Sequence, residues 1–180
     1  MNVFILNTGR CGSTTWIRAC EHIQNFSAGH ESRLRLVGRE RLDYPRNHIE
    51  ADNRLTWMLG RLDAAYGDDA WYVHLRRDLD AAARSFARRS DFGIMKAWRE
   101  GVLLGATPEA DPLSLALDYL DSAERNIQLF LRDKSHQMEA RLETIESDFP
   151  AFWDWIGAQG DLDAALDELH IRHNASDQGR

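Results

Sequence analysis

Residues 3–16 of the chain read Val-Phe-Ile-Leu-Asn-Thr-Gly-Arg-Cys-Gly-Ser-Thr-Thr-Trp. A short apolar run is followed by two glycines that flank Arg10 and Cys11, and then by hydroxyl residues that open a segment with helical spacing. This order predicts a buried strand, a tight loop and the first turn of a helix. Backbone N–H groups at such a junction, together with the helix dipole, favour the binding of an anion.

The loop lacks the Gly-Lys-Ser/Thr ending that is typical of proteins that hydrolyse ATP or GTP. Gly12 would allow the backbone to approach a phosphate closely, and Arg10 would supply positive charge where a leaving phosphate becomes negative. A strand-to-helix turn that uses glycine for its geometry alone is the alternative interpretation. The candidate anion-binding residues are Arg10, Cys11, Gly12, Ser13, Thr14 and Thr15.

Composition excludes several classes of protein. The chain has 180 residues, of which 43% are hydrophobic and 28% charged, so we expect one globular domain over residues 1–180. The net charge of -7 disfavours a protein that binds nucleic acid through its phosphate backbone. The two cysteines, Cys11 and Cys20, belong to no Cys-x-x-Cys pair, so we expect neither a disulfide framework nor a bound metal.

The sequence shows no membrane or secretion signal. No apolar run approaches the roughly 18–20 residues that cross a bilayer. The start of the chain also lacks the charged segment and apolar core of a signal peptide. We therefore expect a cytoplasmic protein without membrane contact.

Hydrophobic periodicity predicts strands that alternate with helices, which implies an α/β fold with a mainly parallel central sheet flanked by helices. Residues 27–47 are expected to form an irregular loop with one short helix near 33–37, and residues 171–180 a frayed tail. The predicted strands are 2–7, 71–75 and 137–144, with a short strand or extended segment at 48–51. The predicted helices are 13–25, 53–66, 79–89, 94–102, 111–133, 149–156 and 162–169.

A second group of informative residues follows the strand at 71–75. That strand leads into Arg77, and Ser85 follows eight positions later in the predicted helix. Ligands of open parallel sheets bind beyond the carboxyl ends of the strands. An arginine fork there would meet a phosphate, and a hydroxyl two turns into the helix would close its other side. An exposed arginine and an unrelated serine on the helix face are the alternative.

In combination, the two segments resemble the sulfotransferase family that uses PAPS (3′-phosphoadenosine 5′-phosphosulfate) as its sulfuryl donor. In that family the first loop grips the 5′-phosphosulfate, and an arginine with a serine eight positions later holds the 3′-phosphate. The pattern Leu-Arg-Arg-Asp-Leu-Asp at 75–80 resembles the family's Arg-Asp-Pro-Arg segment, with Leu79 in place of the proline. A weaker similarity covers residues 139–153.

The resemblance implies a P-loop-like three-layer fold and a small enzyme of bacterial or carbohydrate-sulfotransferase type. PAPS would be the co-substrate, without a metal, and the acceptor would be a hydroxyl of a small molecule or carbohydrate. Arg10 stands where the cytosolic subfamily has lysine, and that subfamily's late Arg-Lys-Gly loop is absent. The chain is short for the family, which implies an open acceptor site or one that a partner subunit of a homo-oligomer completes.

A sulfotransferase also needs a base for the proton of the acceptor hydroxyl. The best candidates are His30 and Glu31, which follow the first predicted helix. Resemblance favours Glu31, whereas imidazole has the more suitable ordinary pKa; His48 and His74 are further alternatives. A non-catalytic nucleotide-binding protein of the same fold and a kinase with a degenerate phosphate loop are the competing functions.

Overall fold

The computed structural model describes residues 1–105 and 110–171 of the chain. Within these residues, five parallel strands form one sheet in the order β2-β3-β1-β4-β5. The first strand of the chain therefore lies at the centre of the sheet. The strands are Val3–Leu6 (β1), Ser27–His30 (β2), His48–Ala51 (β3), Trp71–Arg76 (β4) and Gln137–Arg141 (β5).

Seven α-helices occur in the described residues, and they cover both faces of the sheet. Helices α1, α6 and α7 contribute to one apolar cluster with β1, β3 and β4, and α2 and α5 to a second cluster on the other face. Helices α3 and α4 pack on α5 in a third cluster. The helices are Ser13–Cys20 (α1), Leu59–Tyr66 (α2), Leu79–Ala87 (α3), Gly93–Ala97 (α4), Pro112–Leu131 (α5), Ile145–Ile156 (α6) and Leu162–Leu169 (α7).

Strand β1 is buried on both faces of the sheet. All four of its side chains have 0% exposure, and they alternate between the two main clusters, with Val3 and Ile5 in one and Phe4 and Leu6 in the other. Strands that are covered on both faces read as continuous apolar runs, and this explains why the run is visible in the sequence.

The largest departure from the sequence-based expectation is β2. Residues 27–30 were expected to lie in an irregular loop, but they pair in parallel with β3 at the edge of the sheet. Their side chains are exposed or half-buried, so a strand here needs no apolar run. The short helix expected near 33–37 is also absent from the described structure, where a 3₁₀ helix forms at Gly38–Leu42 instead.

Several predicted boundaries shift. The segment 53–66 divides into a 3₁₀ helix at Asn53–Trp57 and the helix α2, while 94–102 divides into α4 and a π-turn at Trp98–Val102. Strand β5 ends at Arg141, and α6 begins four residues earlier than its predicted start, with Pro150 inside it. Most of the expected tail at 171–180 lies outside the described residues, as do residues 106–109, which precede the helix predicted at 111–133.

None of the helices in residues 1–105 and 110–171 combines the length and the apolar composition that a membrane crossing requires.

Candidate functional site

The topology of the sheet predicts a crevice at its carboxyl edge, between β1 and β4. The chain leaves β1 into α1 on one face of the sheet, and it leaves β4 into α3, which packs with α5 on the other face. Adjacent strands whose following helices diverge in this way leave an opening where ligands of α/β proteins bind. The two segments that the sequence singles out border this opening.

The first loop (Thr8–Thr15) depends on glycine for its shape. Gly9 and Gly12 have φ angles of 90° and 81°, in the left-handed region that favours glycine. A Cβ atom at Gly9 would lie 2.7 Å from Asn53 Nδ2, and one at Gly12 would lie 2.5 Å from Leu142 Cδ1. At Gly12 the backbone is therefore close to the side chain of Leu142, the residue that follows β5. This contact fixes the position of the loop.

Residues from three elements hold the base of the first loop. Asn7 Oδ1 accepts a hydrogen bond of 2.9 Å from the backbone N–H of Gly9. The carbonyl oxygen of Thr8 accepts bonds from Tyr119 Oη on α5, at 2.7 Å, and from Asn53 Nδ2, at 3.5 Å. The loop is therefore a fixed part of the fold.

Cys11 contributes to the core beneath the loop. Its side chain is 1% exposed within the cluster shared with α1 and α6, and Sγ donates a 3.1 Å hydrogen bond to the carbonyl of Gly9. Burial raises the pKa of this thiol to about 11, so it stays neutral at physiological pH. Any contact of Cys11 with a ligand would come from its backbone, because its side chain lies in the core.

The last residues of the first loop, from Ser13 onward, form the first turn of helix α1. Gly12 occupies the N-cap position, and among the described residues no side chain caps the helix. The first-turn N–H groups of such a helix suit an anion. Ser13 Oγ and Thr14 Oγ1 lie 3.0 and 3.4 Å from His30 Nε2, and Thr15 is half-buried on the same turn. The structure thus brings His30 next to the first loop.

The arginine and serine that follow β4 also meet the first loop. Arg77 Nη1 donates a 3.0 Å hydrogen bond to the carbonyl of Arg10, and Arg10 Nε donates a 2.9 Å bond to the buried Ser85 Oγ. Asp78 caps α3 by accepting from the backbone N–H of Ala81. Arg10 is therefore in direct contact with both Arg77 and Ser85.

Positive charge is concentrated at this contact. Burial, followed by repulsion from Arg89, Arg77 and Arg88, lowers the pKa of the Arg10 guanidinium from its ordinary value. We call these four residues, Arg10, Arg77, Arg88 and Arg89, the arginine cluster. Arginine remains charged at any physiological pH, so the cluster is a region of positive potential on a chain whose net charge is -7.

Glu31 lies immediately after β2, at the carboxyl edge of the sheet. Its backbone has a φ of 52°, and its Oε1 lies 3.0 Å from Arg54 Nη1, with each side chain 30% exposed. Arg54 also donates a 3.3 Å hydrogen bond to Asn53 Oδ1. The carboxylate of Glu31 is thus engaged by a guanidinium, whereas the imidazole of His30 contacts the hydroxyls of the first loop.

A buried polar network beneath β2 was not predicted from the sequence. Glu50 on β3 is 0% exposed and accepts hydrogen bonds from Ser32 N (2.7 Å), Ser32 Oγ (2.6 Å) and His48 Nε2 (2.9 Å). A Cβ at Gly29 would lie 2.7 Å from Glu50 Oε2. This network fixes the backbone that carries His30 and Glu31. In the sequence, the only sign of this network was Glu50, a charged residue inside the short segment predicted at 48–51.

The remaining histidine candidate, His74, and the ion pair of Asp52 are buried in the fold. His74 is 5% exposed on β4 with its Nε2 3.2 Å from Glu124 Oε2, which fits a histidine of the core. Asp52 caps the 3₁₀ helix at Asn53–Trp57 and forms a buried ion pair with Arg41. Over the described part of the chain, His, Cys, Asp and Glu side chains form no group of three that could hold a metal ion.

No family model matches the chain, and no curated protein matches it. Among solved structures, the chain is similar to the "Sulfotransferase Domain from the Curacin Biosynthetic Pathway", with a TM-score of 0.66 and 16% sequence identity. The alignment covers 95% of this chain and 78% of that one. The all-parallel sheet between two layers of helices is therefore the fold of a sulfotransferase domain, and the predicted α/β class is confirmed.

Proposed function

We propose that the protein transfers a sulfuryl group from PAPS to a hydroxyl of a small-molecule or carbohydrate acceptor. The observation that carries this proposal is the convergence of the first loop with Arg77 and Ser85 in one crevice, within a fold like that of a sulfotransferase domain. The two segments are more than 60 residues apart in the chain, with 67 positions between Arg10 and Arg77.

The donor would bind through two separate sets of groups. The first-turn N–H groups of α1 and the hydroxyls of Ser13, Thr14 and Thr15 would hold the 5′-phosphosulfate. Arg77 and Ser85 would hold the 3′-phosphate, for which a guanidinium fork has the matching geometry. Transfer of a sulfuryl group, like that of a phosphoryl group, depends mainly on alignment and charge stabilisation, which these fixed groups can supply.

We assign the role of general base to His30. Its Nε2 lies 3.0 Å from Ser13 Oγ, so it is adjacent to the turn that would hold the phosphosulfate. Glu31 is instead paired with Arg54, and this pair would orient the acceptor. A base must reach the proton that it removes, and the position of His30 beside the first loop meets this condition.

Calorimetric titration with PAP, the desulfated donor product, tests the donor site. We expect saturable binding of PAP and no saturable binding of ATP–Mg, because the loop lacks the lysine that nucleotide-hydrolysing loops carry. Binding of ATP–Mg without PAP would contradict the proposal and favour a kinase. Binding of PAP without sulfation of any hydroxyl acceptor would indicate a nucleotide-binding protein without turnover.

Replacement of Arg77 by alanine is expected to weaken PAP binding about tenfold to a hundredfold, since hydrogen bonds to charged groups contribute about 1.5–3 kcal/mol. Adenosine 5′-phosphosulfate, which lacks the 3′-phosphate, should lose much less affinity. Parallel titrations of the two ligands measure this difference. Equal losses would show that Arg77 acts only through its hydrogen bond to the Arg10 carbonyl, which shapes the first loop.

A further inference from the structure

Two buried carboxylates lie two positions apart, on β3 and on the residue that follows it. Glu50 and Asp52 are both 0% exposed. The backbone between them is extended, so their side chains point to the same face of the sheet. Ile49 and Ala51, which alternate with them, lie in the apolar cluster on the other face. Like charges in the interior disfavour each other, so each carboxylate needs partners of its own.

Each carboxylate faces a basic side chain. His48 Nε2 lies 2.9 Å from Glu50 Oε2, and Arg41 forms the buried ion pair with Asp52. Tyr44 connects the two basic partners. Its ring stacks on that of His48 with the centroids 5.4 Å apart, and its Oη accepts a 3.3 Å hydrogen bond from Arg41 Nη1. These side chains offset the cost of burying the two carboxylates.

The other oxygen of each carboxylate holds a backbone N–H group at the carboxyl edge of the sheet. Glu50 Oε1 accepts a 2.7 Å hydrogen bond from the N–H of Ser32, the residue after Glu31. Asp52 Oδ1 accepts a 2.8 Å hydrogen bond from the N–H of Arg54. Glu31 and Arg54 form the ion pair described above, at 3.0 Å. One buried carboxylate is therefore bound to the backbone of each half of this pair.

The backbone at Glu31 depends on this support. Its φ of 52° lies in the left-handed region, which a residue other than glycine adopts at an energetic cost. The N–H of Glu31 donates a 2.9 Å hydrogen bond to the carbonyl of Ala51, and the next N–H is held by Glu50. Such conformations persist where the surrounding contacts determine them from more than one side. The direction of the Glu31 side chain thus depends on Glu50.

We propose that Glu50 and Asp52 are positioning residues that hold the Glu31–Arg54 pair in the orientation in which it receives the acceptor. The inference rests on the proposed function, which assigns this pair to the acceptor. The groups that would hold the donor lie instead on the first loop and on the segment after β4. Loss of either carboxylate should therefore impair the use of the acceptor and leave donor binding intact.

The test separates the KM for the acceptor from donor affinity and from the rate of transfer. Simple glycosides and primary alcohols are assayed with PAPS, and the best acceptor of the unmodified protein is the probe. We expect Glu50→Ala and Asp52→Ala each to raise the KM for this probe about tenfold, as expected when a charge-assisted hydrogen bond is lost. The affinity for PAP and the single-turnover rate at saturating acceptor should each change by less than about threefold.

Two conservative variants keep the hydrogen bond to the backbone and lose the charge. Glu50→Gln retains an oxygen for the N–H of Ser32. Asp52→Ser retains an oxygen that caps the 3₁₀ helix, because serine suits an N-cap as well as aspartate does. Both variants should keep the KM within about threefold of the unmodified value. Asp52→Ser should nevertheless melt at a lower temperature, since Arg41 loses its counter-ion. A role in stability alone would make the KM follow the melting temperature across all four variants.

An equal rise in KM for Asp52→Ser and Asp52→Ala would overturn the inference, as would an equal loss of PAP affinity in the alanine variants. A lower single-turnover rate with an unchanged KM would also overturn it, since the carboxylates would then act on the base. If Glu50→Ala does not fold, the two variants of Asp52 supply the comparison. If the unmodified protein transfers no sulfuryl group to any of the acceptors, the proposed function fails. If it does and only the expected KM pattern is missing, the proposed function stands and the inference fails.

Discussion

Replacement of His30 by alanine is expected to lower the rate of sulfuryl transfer about 10²–10⁴-fold, which is the usual contribution of a general base. The imidazole contacts the hydroxyls of Ser13 and Thr14, so the alanine variant removes the proposed base from the first turn of α1. The affinity for PAP should change by less than about fivefold, because neutral hydrogen bonds contribute about 1 kcal/mol.

The measurement is the single-turnover rate with PAPS and a hydroxyl acceptor, together with PAP titration of each variant. His136→Ala is the matched control, since His136 is exposed at the amino end of β5 and lies at the opposite edge of the sheet. Glu31→Gln should cost less in rate than His30→Ala. The reverse order would move the role of base to Glu31, the residue that family resemblance favours.

Asp52→Ala is expected to destabilise the protein by about 3–5 kcal/mol, which is typical when one partner of a buried ion pair is removed. Asp52 is 0% exposed and its carboxylate binds both the Arg41 guanidinium and the backbone N–H of Arg54. Burial by itself would lower the pKa of Arg41, but the carboxylate raises it on balance. Without Asp52, a charged guanidinium would stay buried without its counter-ion.

Urea unfolding and thermal melting measure this loss. For a chain of this length, each kcal/mol lowers the melting temperature by roughly 2–4 °C, so we expect a decrease of roughly 6–20 °C. Asp121→Ala is the control, because its ion pair with Arg125 is exposed to water and its loss should leave the stability almost unchanged. A loss below about 1 kcal/mol for Asp52→Ala would show that water or a rearranged side chain replaces the carboxylate.

The two segments that border the crevice carry local signals in the sequence. The apolar run before the first loop identifies a buried strand, and the spacing between Arg77 and Ser85 is about two turns of a helix. The strand predicted at 71–75, which is β4 in the structure, could also be recognised from its apolar run. Each signal depends only on residues that are close together in the chain, so periodicity was enough to find it.

The features that sequence did not reveal depend on contacts between distant segments. Strand β2 lies at a sheet edge, where half-exposed side chains carry no apolar pattern, and its place is fixed by pairing with β3. The direction of the Arg10 side chain depends on its hydrogen bond with Ser85. The two residues are close in space because β1 pairs with β4. Helix α6 includes Pro150, so its first turn could not be recognised from local preference.

The central position of β1 has a consequence for how the chain folds. Val3 pairs with Ile49 on one side and with Trp71 on the other. The carbonyl of Thr8 accepts its hydrogen bond from Tyr119, which lies 111 positions later in the chain. Such non-local pairing raises the contact order and slows folding. A ribosome-bound chain that ends before Tyr119 therefore carries an apolar strand without its full cover, and such intermediates are prone to aggregate. The shape of the crevice between β1 and β4 is thus acquired late in folding.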